Sequence, residues 1–159
     1  MPPSLNDGQA TALTDLLEAE LATLKSLAGA LDREHAALLK GTAEEIEAAV
    51  GDKNRAVAAH REQQEQRLRW MSEAALPSST SLTELAAGAG EPLETHLQQL
   101  VELATACQER NRQNGGLIVK QEQRTRQALG VLRREEGGDL YSLSGARDHS
   151  SESRIIGKA

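Results

Sequence analysis

Between residues 13 and 38 leucine returns every three or four positions, at Leu13, Leu17, Leu21, Leu24, Leu27 and Leu31, with Leu38 one heptad further on. Side chains spaced in this way share one stripe of an α-helix but fall on both faces of a strand. The stretch is therefore a helix with a single apolar seam, widened by Leu16 and Leu39. Lys40 suits the negative end of the helix dipole and Gly41 stops the helix, so the spacing predicts a helix over residues 8–40.

Composition extends the same reading to the rest of the chain. Its 159 residues include 24 Ala, 23 Leu, 18 Glu, 13 Arg and 11 Gln, all good helix formers, against 5 Val, 4 Ile, one Tyr, one Trp and no Phe. Sheets are built from branched and aromatic side chains, which are scarce here, so the chain is all-α. Leu, Ile and Val together make 32 of 159 residues, enough for narrow helix seams rather than a thick interior. The expected architecture is an elongated antiparallel bundle of three long helices plus one short helix, with a flexible C-terminal tail.

Local signals place the remaining elements. Thr42-Ala-Glu-Glu45 has the form of a capping box and opens a second helix, expected over 42–75 and ending before Pro77. Its inner face is predicted at Ile46, Val50, Val57, Leu68 and Met71, interrupted by Lys53, His60 and Gln64. Ser81-Leu-Thr-Glu84 repeats the box and starts a short helix over 81–88. Pro92 suits the first turn of a last long helix, expected over 92–134. Its heptad places Leu93, Leu97, Leu100, Ala104, Cys107, Asn111, Asn114 and Ile118 on one seam. Residues 1–136 thus form a helical bundle. The Gly- and Ser-rich residues 137–159 lack a sustained period and are expected to be a flexible, partner-binding tail.

Several function classes fall away. The net charge of −6 is a poor footprint for nucleic acid. No stretch approaches the ~20 apolar residues of a membrane span, so no stable membrane insertion is expected. His35, His60, His96 and His149 share no metal-ligand spacing with one another or with Cys107, and no phosphate loop or nucleophile motif occurs. The chain reads as a cytoplasmic protein that is not an enzyme and needs no cofactor.

What remains is binding. Residues 1–106 carry 8 basic and 17 acidic side chains, whereas residues 107–134 carry 7 basic and 2 acidic. The basic run reads first as a solvated face and second as a docking surface for an acidic protein. Asn111 and Asn114 read as a polar layer that sets helix register, or as a segment loosened by Gly115-Gly116 that repacks on a partner. In the tail, Leu140, Tyr141 and Leu143 form one apolar cluster and Ile155-Ile156 a second. They either dock weakly on the bundle or fold onto another protein.

Asn111, Asn114, Gly115, Leu117 and Ile118 form an Asn-x-x-Asn-Gly-x-Leu-Ile core that resembles the signature of the FlgN family of flagellar export chaperones. Arg124-Thr-Arg-Gln-Ala-Leu129 is similar to the continuation of that signature. Tyr141 and Gly145, then Ser153, Arg154, Gly157, Lys158 and Ala159, match its C-terminal elements, while Ser142 stands where the family pattern has an acidic residue.

The resemblance implies a cytoplasmic chaperone that binds the hook–filament junction proteins FlgK and FlgL. It would escort them to the flagellar type III export apparatus, with its substrate-binding region toward the C-terminus. On that basis Leu129, Leu132, Leu140, Tyr141, Leu143, Ile155 and Ile156 are the expected partner contacts. Asn111, Asn114, Gly115, Leu117 and Ile118 are assigned to helix packing first and partner binding second. The competing readings are a coiled-coil scaffold or stalk that acts through self-assembly, and a helical nucleic-acid-binding regulator.

Overall fold

A computed structural model describes residues 4–77 and 79–145, with side chains at 4–77 and 79–137. Four helices follow one another: α1 (Asp7–Lys40), α2 (Ala43–Glu73), α3 (Leu82–Ala89) and α4 (Leu93–Gly145). No strand occurs among the described residues. The chain divides into two compact units, Met1–Leu117 and Ile118–Ala159.

Side chains at the helix starts explain three of the four boundaries. The Thr42 hydroxyl accepts from the Glu45 amide at 3.2 Å, and the Thr42 amide donates to Glu45 Oε2 at 2.8 Å. Ser81 and Glu84 exchange the same pair of bonds at α3. The third box is Asn6 with Gln9, at 2.8 and 3.1 Å, which starts α1 at Asp7, one residue before the expected Gly8. Between α1 and α2 the chain turns on two residues. The Gly41 amide donates to the Ala37 carbonyl at 2.7 Å, and a Cβ on Gly41 would itself lie 2.7 Å from that oxygen. Glycine is required there by close approach.

Cross-helix contacts set the directions within the first unit. Glu34 pairs with Lys53, Thr23 with His60 and Glu20 with Arg67, so numbers rise on α1 as they fall on α2. Those two helices are antiparallel. Glu18 meets His96, the Leu24 carbonyl meets Cys107 and the Leu31 carbonyl meets Asn114, so this part of α4 runs parallel to α1. The order is up, down, up, with α3 in the return connection.

The core is the predicted leucine seam. Leu13, Leu17, Leu21, Leu24, Leu27 and Leu31 cluster with Leu85 and Ala86 of α3 and with Leu93, Leu100 and Cys107 of α4. On the transfer scale each buried leucine contributes about 1.5–3 kcal/mol. α2 adds mainly partly buried side chains, among them Ala56, Val57, Trp70 and Met71.

Three features differ from the sequence reading. Leu68 is 57% exposed, and Arg67 beside it takes the inward position because the buried Glu20 carboxylate draws it there. Ala104 and Asn111 are also exposed. The buried row of α4 is Leu93, Leu100, Cys107 and Asn114, flanked on one side by half-buried His96, Leu103, Arg110 and Leu117 and on the other by the predicted Leu97 and Ile118, also half-buried. Leu103 and the Arg110 stem offer more surface to bury than Ala104 and Asn111. Finally, α4 passes the expected end at Arg134 and continues to Gly145, because Gly137-Gly138 weakens a helix without breaking it and no proline follows.

Candidate functional site

The Asn114 layer is the most highly connected polar feature of the first unit. Asn114 is 1% exposed, and its Nδ2 donates to the Leu31 carbonyl at 3.0 Å and to Glu34 Oε1 at 2.8 Å. Its Oδ1 lies 2.8 Å from His35 Nδ1. A carbonyl oxygen can only accept, so His35 carries its proton on Nδ1. The other oxygen of the fully buried Glu34 sits 2.8 Å from Lys53 Nζ as an ion pair. One asparagine therefore ties α4 to α1, and through Glu34 to α2. Asn111, three residues earlier, faces outward.

Two more polar rungs join α1 to α2. Arg67 grips Glu20 with Nε at 2.6 Å and Nη2 at 3.3 Å, with the carboxylate 1% exposed. The Thr23 hydroxyl donates to the Glu20 carbonyl at 2.8 Å, so at 3.1 Å it accepts from His60 Nδ1. Sequence reading took Lys53, His60 and Gln64 as mere interruptions and missed Arg67. The usable signal was spacing: positions 53, 60 and 67 repeat every seven residues, and 20 and 34 on α1 carry the matching carboxylates.

Gly115 and Gly116 are exposed, and a Cβ on either would meet nothing within 4 Å. Leu117 and Ile118, the last residues of the motif, are half-buried. In the second unit Leu129 and Leu132 are each 55% exposed, and Val131, which the sequence reading did not single out, is 52% exposed. The backbone of Leu140, Tyr141 and Leu143 is helical, while their side chains, like Ile155 and Ile156 altogether, lie outside the described residues.

Among the described residues no group of three His, Cys, Asp or Glu side chains could hold a metal, and no helix is long and apolar enough to cross a membrane. Burial, with the nearby Asp32 charge, pushes the Cys107 thiol above its ordinary value, which keeps it protonated and unreactive. On the surface, hydrogen bonds from Arg112 and Gln113 lower the Glu109 carboxyl to about 2.

An all-helical chain with a buried asparagine layer, glycines without a steric cause and exposed leucines beyond them has the features of a binding protein. The family model described as FlgN protein matches residues 1–149. The chain belongs to the FlgN family. It is thereby a flagellar export chaperone for hook-associated proteins, in a family that is not enzymatic. Among curated proteins and solved structures none matches the chain. The Asn-x-x-Asn-Gly stretch falls on both kinds of position, since Asn114 is buried in the layer while Asn111 and Gly115 are exposed.

Proposed function

We propose that this FlgN chain acts in the cytoplasm, binding the hook–filament junction proteins FlgK and FlgL and escorting them to the flagellar type III export apparatus. The C-terminal part of the chain folds onto an amphipathic segment of the cargo. The observation that carries this reading is the exposed pair Leu129 and Leu132, 55% accessible each, one turn apart on the α4 stretch that leads toward Leu140, Tyr141 and Leu143. Leucines three residues apart on a helix form one apolar edge, suited to an amphipathic partner. Ordering a segment on binding tempers affinity, which suits a cargo that must be released. Ile155 and Ile156 are further cargo contacts in this reading.

The test is titration calorimetry of the full chain against the purified junction protein of the same bacterium. Three variants are compared: Leu129→Ala/Leu132→Ala, Leu140→Ala/Tyr141→Ala/Leu143→Ala and Ile155→Ala/Ile156→Ala. Micromolar or tighter binding by the intact chain, weakened at least tenfold in the first two variants, supports the reading. Unchanged affinity in all three would move the cargo contact to the first unit.

A further inference from the structure

Between Arg69 and Arg110 the chain carries six Glu and no Asp, Lys or Arg. Within that stretch α3 and α4 line a groove of about 490 Å³ that belongs wholly to the first unit. Ala86 and Ala87 of α3 and Leu97 and Val101 of α4 form its apolar lining. Val101 is 58% exposed, so most of its side chain is left out of the core. Glu94 and Glu102 supply the charge of the groove, and no basic side chain lines it. The Glu102 carboxylate accepts from the neutral Gln98 amide at 3.0 Å, and neither glutamate has an ion-pair partner among the described residues.

We propose that this groove docks an amphipathic helix of a partner protein whose apolar face is flanked by lysine or arginine. Its volume falls within the size range of binding clefts. Leu97 and Val101 stand one turn apart, the repeat that an incoming helix presents in its own i and i+4 residues. Glu94 and Glu102 stand eight residues apart, about 12 Å along α4 at the helical rise. One amine cannot meet both carboxylates across that distance, whereas cations two turns apart on one helix can. The sign of the rim selects the partner. A nucleic-acid phosphate or an acidic helix would be repelled, and the same groove of a second copy would set like charges against each other. The groove residues all lie in the first unit and none is among the expected cargo contacts, so the inference does not rest on the cargo reading.

The test is fluorescence anisotropy of a labelled synthetic helix, with leucines along one face and lysines on both flanks, titrated with the full chain. Saturable one-to-one binding is expected, weakened at least tenfold by Val101→Lys, which puts a cation in the groove, and by Glu94→Gln/Glu102→Gln. Glu44→Gln/Glu47→Gln removes the same charge from exposed positions in the first turns of α2 and should leave the affinity unchanged. Every altered side chain is exposed, so the variants keep their fold, which a thermal melt of each one checks. The same helix with glutamine in place of lysine should bind at least tenfold more weakly. Absence of saturable binding overturns the proposal. Equal losses in the two glutamine pairs overturn it as well, since net charge alone would then hold the peptide. So does an affinity indifferent to Val101→Lys, which would place the peptide elsewhere.

Discussion

Asn114 and Asn111 separate what a motif contributes to packing from what it leaves on the surface. Asn114 bonds a backbone carbonyl, a buried carboxylate and an imidazole at once, so removing its amide takes a partner from all three and leaves the Glu34 carboxylate only Lys53. Asn114→Ala is expected to cost about 3 kcal/mol in urea denaturation, whereas the exposed Asn111→Ala stays within about 0.5 kcal/mol. Equal effects would mean that the layer is not the junction described above. Cys107 offers a second residue-level test through its raised pKa. A thiol held protonated by the fold stabilises it fully below the unfolded pKa, and that contribution is lost as pH rises through the folded value. Stability should therefore fall more steeply on the alkaline side in wild type than in Cys107→Ala. Parallel pH profiles would refute the shift.

At the level of elements, the glycines of α3 and α4 divide by cause. Gly90 ends α3 at φ 73° and ψ −157°, a region that side chains rarely enter. Gly90→Ala should cost about 1–3 kcal/mol although space is open around it. Gly115 and Gly116 are helical with free surroundings, so each change to alanine should stabilise the isolated chain by up to about 1 kcal/mol. Thermal melts of the three variants read both signs, and a loss at Gly115 or Gly116 would reveal a neighbour that the helix does not show. The leucine seam of α1 was legible because its apolar positions carry the helical period in one residue type. The inner face of α2 was not, because Lys53, His60 and Arg67 look like surface residues until Glu34, Thr23 and Glu20 are placed opposite them. Period alone could not choose between Leu103 and Ala104, or between Arg110 and Asn111, since seams stepping by three or by four fit equally well. Leu129 and Leu132 were legible as apolar residues of the candidate surface. The groove of about 490 Å³ lined by Ala86, Ala87, Leu97 and Val101 was not, since α3 and α4 supply it together.

For the whole molecule, the packed core lies in the first unit and the exposed pair Leu129 and Leu132 in the second, so stability and binding should separate by unit. Truncating a core leucine, as in Leu24→Ala, should cost about 2–5 kcal/mol in urea denaturation. Leu129 and Leu132 are each 55% exposed, so Leu129→Ala/Leu132→Ala should change stability by no more than about 1 kcal/mol. In the proposed reading the same double variant weakens cargo binding at least tenfold in titration calorimetry. A variant that keeps its stability and loses cargo affinity assigns the leucines to binding. One that loses several kcal/mol of stability would mean that they pack within the chain, and the cargo contact would have to be sought elsewhere.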